Sequence, residues 1–248
     1  MLKYSLSKLI MEFVGTMLFT MFFYSHNSAV ILLGLWILNI FFWKISGSHF
    51  NPAVTFAFMF RRDDKRMSWK LALAYMMAQT LGAYIGALIL DFYTFELPPL
   101  DFKDSFIMRS VTQELSVSFV YVFFFMTSTD EKLLFSNEKA INCFILASAY
   151  VGARCMFAGN TDAAVTDSGA TLVYGAVANP AVALGIQFAT LINEGFSAWK
   201  AIYIYPLMPF AGSFLAAFFY ELVYKKTQAF LANANDDDSA SDEGKTHD

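Results

Sequence analysis

Four polar side chains stand inside apolar stretches of this sequence, where an unused hydrogen-bonding group would be costly. Asn51 and Asn179 each precede a proline, and Glu12 and Glu114 each lie in a long apolar run. An amide can donate to the oxygen of a small neutral molecule, whereas a carboxylate accepts from backbone N–H groups. No set of residues assembles a nucleophile, a base or a metal site. We therefore predict passage of a neutral solute, with no enzymatic activity and no cofactor.

The two asparagines head two copies of one short box. The boxes are Asn51-Pro52-Ala53 and Asn179-Pro180-Ala181. Each box starts a helix, because asparagine caps exposed backbone N–H groups and proline already has the φ angle of a first turn. The apolar segments that follow, 53–60 and 181–192, fall short of the roughly 20 residues that cross a bilayer. Such half-helices persist at membrane depth only around a cavity or within protein, so the sequence predicts a path between them.

The composition places the chain in a lipid bilayer. Of its 248 residues, 57% are hydrophobic and 15% are charged, which is far from the balance of a soluble domain. Basic and aromatic residues are not interleaved in a way that suggests nucleic acid. Long apolar runs predict six membrane-spanning helices. These runs cover residues 9–25, 28–46, 69–91, 107–127, 138–158 and 199–224.

The predicted fold class is an all-α integral membrane protein with six transmembrane helices and two re-entrant half-helices. Glu12 precedes Asn51 by 39 residues and Glu114 precedes Asn179 by 65, so the second copy carries extra sequence. An odd number of spans between the copies inverts the second one, and the half-helices therefore enter from opposite faces. The two inverted repeats cover residues 8–91 and 107–225.

Charge predicts the orientation and the limits of the membrane domain. Lysines and arginines cluster on one side of a six-span topology, which the positive-inside rule makes cytoplasmic together with both termini. The membrane domain is predicted over residues 1–228. Residues 229–248 are acidic and polar, so we predict a solvated, disordered tail.

Two further features of the sequence carry predictions of their own. The segment 159–174 supplies most of the extra sequence as a polar loop, which is either an ordinary surface loop or a cap over a pore mouth. Cys143 and Cys155 lie twelve positions apart on one predicted helix. That spacing is roughly 18 Å along a helix axis, too far for a disulfide, and both thiols are predicted to be buried.

The paired boxes resemble those of the aquaporin, or major intrinsic protein, family. The first box has the context Ser46-Gly47-Ser48-His49-Phe50-Asn51-Pro52-Ala53-Val54. The resemblance implies a channel for water and small neutral solutes such as glycerol and urea, exclusion of ions, and a homotetramer. It also implies that Glu12 and Glu114 hold the half-helix loops through backbone N–H groups. His49 would line the pore as in the family, and a packed, hydrogen-bonded histidine is the alternative.

The chain departs from the family at the second constriction of the pore. The family carries an arginine directly after the second box, and this sequence has Val182 there. By the family's spacing, the other filter positions fall at Ile31, Ala153 and Ala176, which are all apolar. If the alignment of the fifth span slips, Arg154 supplies the missing cation, although the spacing favours Ala153.

The selectivity of such a filter is open on the sequence alone. Ala183 stands where the family's glycerol branch has an aspartate, which favours water. A filter of small apolar residues instead favours glycerol, urea or ammonia. A rival interpretation belongs to another class: a non-conducting aquaporin-like protein that serves as a structural subunit or scaffold of a larger membrane assembly.

Overall fold

A bundle of membrane-length helices forms the body of the protein in a computed structural model. The structure describes residues 2–25, 27–94, 100, 107–158, 164–165, 171–172, 176–199 and 202–243. The long helices are α1 (Leu2–Phe23), α2 (Ser28–Ser46), α4 (Trp69–Thr94), α5 (Ile107–Ser128) and α6 (Lys139–Ala158). The short ones are α3 (Pro52–Phe58) and α7 (Pro180–Glu194), the latter followed by a 3-10 helix (Gly195–Trp199). The last helix, α8 (Met208–Phe219), continues through a π-helical segment (Tyr220–Tyr224) into α9 (Lys225–Glu243).

The long helices match the predicted spans. Within the described residues, α1, α2, α4 and α5 have the length and hydropathy needed to cross a membrane. The helix α6 and the continuous α8 and π-helical stretch complete the six-helix plan. The predicted start of the sixth span at residue 199 is wrong: α8 begins at Met208, because Pro209 suits only the first turn of a helix. The apolar helices indicate an integral membrane protein.

Both short helices begin at the boxes. Asn51 caps α3 and Asn179 caps α7, and each is followed by its proline in the first turn. The helix α3 ends at Phe58, two residues before the predicted limit, and α7 extends two residues past its own to Glu194. With 7 and 15 residues they are too short to span a bilayer, so the six-plus-two fold class is confirmed.

The repeat is visible in how the helices pack. The helix α1 lies against α4, and α5 lies against α8 in the same way. Gly82 of α4 approaches the carbonyl of Phe13, and Gly212 of α8 approaches the carbonyl of Leu115, so closely that an added Cβ would overlap either oxygen. Phe13 and Leu115 directly follow the two buried glutamates, so equivalent backbone positions meet equivalent glycines.

Each half-helix reaches across the boundary between the repeats. The helix α3 packs on α5 and α8 of the second repeat as well as on α4. The helix α7 packs on α4 and α1 of the first repeat. The two repeats are therefore interlocked through their half-helices.

The described part of the C-terminal tail is helical. The helix α9 runs to Glu243, through residues 229–243 of the segment for which the sequence predicts a disordered tail. Residues 244–248 lie outside the described part. The helix continues directly from the π-helical segment, and Lys, Gln, Ala and Leu at its start are good helix formers.

The two cysteines differ in their exposure. Both thiols are free, and Cys143 is buried as predicted. Cys155 is exposed, with its Sγ 3.6 Å from the Oγ of Ser28, so the prediction that it is buried is wrong.

Of the 159–174 loop, the structure describes β1 (Ala164–Val165) and β2 (Thr171–Leu172), which pair antiparallel. Both alternatives for this loop, an ordinary surface loop or a cap over a pore mouth, stay predictions, because most of it lies outside the described residues.

Candidate pore

The N-termini of α3 and α7 meet at the centre of the bundle through their asparagines. The Nδ2 of Asn51 donates to the carbonyl of Ala178 at 2.8 Å, and the Nδ2 of Asn179 donates to the carbonyl of Phe50 at 2.8 Å. Each amide thus holds the loop that precedes the other half-helix. This reciprocal pair joins the two repeats at one point.

The same two amides cap their own helices. The Oδ1 of Asn51 accepts from the backbone N–H of Ala53 at 2.8 Å, and the Oδ1 of Asn179 accepts from that of Ala181 at 3.0 Å. An amide nitrogen carries two hydrogens. Among the described residues, only one acceptor lies within hydrogen-bonding distance of each Nδ2. The second N–H of each asparagine is therefore available to another oxygen.

Glu12 holds the loop before α3. Its two carboxylate oxygens accept from the backbone N–H groups of His49 at 3.0 Å and Phe50 at 2.7 Å. The Nε2 of Gln79 donates to the same carboxylate at 2.8 Å. A fully buried carboxylate needs this number of partners, because each lone pair left empty in an apolar core costs free energy.

Glu114 holds the loop before α7 in the same way. Its oxygens accept from the N–H groups of Val177 at 2.5 Å and Ala178 at 2.7 Å. In the part of the chain that the structure describes, no side chain plays the role that Gln79 plays for Glu12. The second carboxylate therefore relies on the loop itself.

The residue before each asparagine has a left-handed backbone. Phe50 has φ 47° and Ala178 has φ 51°, values that cost a non-glycine residue on the order of 1 kcal/mol or more. The ring of Phe50 lies on Gly15, which has no Cβ to block it. The two loops share this left-handed residue, which the glutamate and asparagine bonds stabilise, and the first loop has a further one at Ser48, with φ 52°.

Planar trans peptides decide where the loop carbonyls point. Within one peptide unit the N–H and the preceding C=O point in opposite directions. Because the N–H groups of Val177 and Ala178 point at Glu114, the carbonyls of Ala176 and Val177 point away from it. By the same rule, the N–H groups bound to Glu12 turn the carbonyls of the first loop away from α1.

Protein donors occupy the carbonyls of the second loop. The Nε of Arg154 donates to Ala176 at 2.7 Å, and the hydroxyl of Tyr150 donates to Val177 at 2.7 Å. Arg154 also lies over the ring of Phe23, 4.4 Å from its centroid. In the first loop, by contrast, no described side chain donates to the carbonyls of Ser48 or His49. The two loops therefore differ on the side that faces away from the carboxylates.

The apolar residues predicted for the second constriction are all buried. Their exposed fractions are 2% for Ile31, 4% for Ala153, 2% for Ala176 and 0% for Val182. Of the two alternatives on α6, Arg154 makes the bond to the loop, at the level of Ala176. Val182 lies in the first turn of α7, with its N–H 3.4 Å from the Oδ1 of Asn179.

His49 lies at the inner end of a wide cavity. The cavity of about 970 Å³ opens where Lys8, Lys65 and Lys139 lie, at what we call the basic end of the bundle. The Nδ1 of His49 is 3.1 Å from the Oγ1 of Thr55. His49 therefore has the features of both predicted alternatives. It lines the cavity, and it is also packed and hydrogen-bonded.

A charged network ties the first half-helix to the basic end. Arg61, just beyond α3, forms a bidentate pair with Asp63 at 2.9 and 2.7 Å, and the Nζ of Lys225 lies 2.9 Å from the same carboxylate. The hydroxyl of Tyr220 donates to Asp130 nearby at 2.7 Å. Partial burial alone would raise the pKa of Asp63, but hydrogen bonds and charge from Arg61 and Lys225 hold it well below its usual range.

Sequence reasoning missed the residues that complete this arrangement. Gln79, Tyr150, Phe19 and Tyr121 were not singled out. One signal was available: Phe19 follows Glu12 by seven residues, and Tyr121 follows Glu114 by seven. A seven-residue step returns to the same helix face, so the repeat places an aromatic residue at equivalent points of α1 and α5.

The chain is similar in sequence to known membrane proteins. The family model described as "Major intrinsic protein" matches residues 2–220. "Probable aquaporin PIP2-5" of Arabidopsis thaliana is 29% identical over 188 residues, covering 73% of this chain and 60% of that protein. "Aquaporin TIP1-2" of Zea mays is 30% identical over 186 residues, covering 73% and 63% respectively. The alignments thus span less than two thirds of these relatives.

A solved structure shares the fold. The aquaglyceroporin of Plasmodium falciparum superposes with a TM-score of 0.65 at 18% identity, covering 89% of this chain and 97% of that one. At this identity the likeness concerns the fold alone. The resemblance drawn from the two boxes is confirmed by the family match.

Proposed function

Because the chain belongs to the major intrinsic protein family, we propose that it is a channel through which water and small neutral solutes cross a membrane passively. The observation that carries the proposal is the meeting of two half-helices through Asn51 and Asn179. Each amide keeps one N–H for the oxygen of a passing molecule, which replaces a hydrogen bond lost on leaving bulk water.

We propose that the same meeting point excludes ions. The N-terminus of a helix carries about half a positive charge, and two such ends face each other at the asparagines. A cation there meets an unfavourable field in a low-dielectric setting, whereas a neutral molecule is almost unaffected. The channel therefore rejects charged solutes at this point.

Arg154 is proposed as the fixed cation of the filter in place of Val182. Its Nε is bonded to the carbonyl of Ala176, and its guanidinium is held over Phe23. A guanidinium keeps its charge at any physiological pH and offers several donors. It therefore supplies from α6 what the family takes from the residue after the second box.

Flux in reconstituted vesicles tests this proposal. Stopped-flow swelling under water, glycerol and urea gradients, with a pH-sensitive dye inside, separates neutral solutes from protons. We expect the parent to pass water without a proton leak and Arg154→Ala to leak protons. The double variant Arg154→Ala with Val182→Arg, which restores a cation at the family's position, should suppress the leak. A parent that is monodisperse but no more permeable than empty vesicles would refute the channel.

One observation favours a second candidate, the non-conducting structural subunit. The carbonyls of Ala176, Val177 and Ala178 all accept bonds from protein donors. A pore in which protein takes these acceptors offers fewer sites to a solute. The same vesicles decide: absence of flux for every solute, from folded parent and variants alike, supports the structural role.

The setting in the membrane is also proposed. The basic end is assigned to the cytoplasm with both termini, because basic residues stay on that side. A tag placed after Asp248 should be reachable by antibody only in permeabilised cells. A homotetramer is the expected assembly, and chemical cross-linking in native membranes should give a four-copy limit rather than a mixed complex.

A further inference from the structure

Aromatic rings from three helices meet beside the second loop. Phe19 of α1 and Tyr121 of α5 both lie against Tyr150 of α6, with ring centroids 5.4 and 5.0 Å from that of Tyr150. Their exposed fractions are 2%, 3% and 0%. At these separations the rings are in edge-to-face contact. The contact joins both repeats, because α1 belongs to the first and α5 and α6 belong to the second.

These rings form part of a continuous aromatic column. Towards one end, the guanidinium of Arg154 lies 5.6 Å from the Tyr150 ring. Towards the other, Tyr121 contacts Phe125 at 5.9 Å, and Phe125 contacts His49 at 5.6 Å. His49 lines the cavity at the basic end. The column therefore connects the level of Arg154 with the wide cavity, along the route that a solute would take.

Tyr150 has the central place in this column. Its hydroxyl donates to the carbonyl of Val177 at 2.7 Å. That carbonyl points away from Glu114, towards the side where a passing water would donate to it. The hydroxyl thus takes the acceptor that a permeating molecule would use, and the ring takes the adjoining space.

We infer that Tyr150, together with Phe19 and Tyr121, forms a constriction that sets the largest solute the channel passes. This rests on the proposed channel function. A molecule moves past only after the hydroxyl leaves the Val177 carbonyl, and the gap then opened is bounded by three rings. Rings offer few hydrogen-bonding groups to a polyol, so its several hydroxyls would lose water without replacement. Water passes this point, and glycerol and urea are held back.

The constriction separates size selection from charge selection. Arg154 acts on charge through its fixed cation, whereas Tyr150, one helical turn away on α6, acts on size. Variants of Tyr150 should therefore change the ratio of glycerol to water permeability without a proton leak. A residue that only stabilised the fold would alter both permeabilities through the amount of active protein, and would leave their ratio unchanged.

The test uses the full chain in vesicles under water and glycerol gradients. Tyr150→Phe keeps the ring but frees the Val177 carbonyl. It should raise water permeability roughly fivefold, the factor that corresponds to about 1 kcal/mol for one neutral hydrogen bond, with glycerol still excluded. Tyr150→Ala removes the ring and should raise the ratio of glycerol to water permeability by on the order of tenfold.

Tyr220→Phe is the matched control. Tyr220 is also fully buried and its hydroxyl also donates at 2.7 Å, but to Asp130 in the basic-end network. Its loss should leave the permeability ratio unchanged. If Tyr150→Ala does not give a monodisperse protein, Phe19→Ala and Tyr121→Leu test the other two sides of the same gap.

The outcomes distinguish this inference from the channel proposal. A parent that conducts water, with folded Tyr150, Phe19 and Tyr121 variants that pass glycerol no faster, overturns the constriction alone. A parent that conducts no water, with a folded Tyr150→Ala that does, overturns the inference that water passes the three rings. Failure of every folded variant to conduct any solute overturns the channel function and the constriction with it.

Discussion

The loop before α3 and the loop before α7 are held in the same way but have different surroundings. Each is held by a buried glutamate and closed by the opposite asparagine. The first loop has Gln79 as an added support, leaves the carbonyls of Ser48 and His49 without a described side-chain donor, and opens onto a cavity of about 970 Å³. The second loop has its carbonyls occupied by Arg154 and Tyr150. An inverted repeat thus keeps its scaffold symmetrical while its lining diverges.

The two sides of each loop differ in what they stabilise. Bonds between the glutamates and the loops stabilise the half-helices themselves, so a change there costs stability in either half. Arg154 and Tyr150 bond to the second loop on the side opposite Glu114, so they can change while the carboxylate still holds the loop. The symmetrical positions should therefore dominate stability, and the asymmetrical ones should dominate selectivity.

Removal of the two carboxylates should have the largest effect. Glu12→Ala leaves three buried donors without an acceptor, and Glu114→Ala leaves two. At about 1 to 3 kcal/mol for each orphaned donor, both should destabilise strongly, and Glu12→Ala more so. Thermal stability in detergent, read by size-exclusion chromatography, measures the difference. Glu12→Gln, which keeps an acceptor, is the control, and equal losses in both halves would contradict the role given to Gln79.

Substitution of the two equivalent glycines should give the next largest loss of stability, and the loss should be equal in the two halves. Gly82→Ala and Gly212→Ala each place a Cβ on a backbone carbonyl of the facing helix. Overpacking of this kind costs about 1 to 3 kcal/mol, because the helices must separate. The same thermal assay compares them, with Gly152→Ala as control, since no atom lies within 4 Å of a Cβ there. A large loss in one half only would break the symmetry of the scaffold.

Removal of the asparagine amides should destabilise the fold less than these changes do. It should lower water permeability instead. Asn51→Ala and Asn179→Ala each lose a helix cap worth about 1 kcal/mol, and each frees a carbonyl of the other loop. Water permeability of the double variant in vesicles should fall well below that of the parent at equal protein content. A double variant that assembles and conducts like the parent would show that the path lies elsewhere.

A change in the charged network at the basic end should give the smallest loss of stability. Lys225→Met removes one of two cations that lower the pKa of Asp63, and a partly exposed pair contributes about 0.2 to 1 kcal/mol. A carboxyl with a lowered pKa stabilises the fold above its unfolded pKa of about 3.9, and that stability is lost as the pH falls through the folded-state pKa. The melting-temperature gap between parent and variant should therefore hold from pH 7 to 5 and shrink below about pH 4. A gap that is flat down to pH 3 would contradict this linkage.

Much of the scaffold was predictable because its signals are local. Two Asn-Pro boxes specify two helix starts through capping and the fixed φ of proline, and short apolar runs after them exclude full spans. Glu12 and Glu114 were predicted to hold the loops from the resemblance, and the described bonds have that geometry. The start of the sixth span and the tail were harder, because runs of apolar or acidic residues do not by themselves say where a helix begins or stops.

The sequence by itself determined the inverted six-plus-two architecture, since hydropathy, caps and charge act over a few residues at a time. Only the tertiary structure decided which residues of α6 face the loop. One residue along a helix turns a side chain by roughly 100°, so Ala153 and Arg154 cannot both face the same way. The extra sequence before the second box removes the fixed spacing that would have aligned them. The choice of Arg154 and Tyr150 depends on how α6 packs against α2 and α5, and that packing sums contacts between residues far apart in the chain.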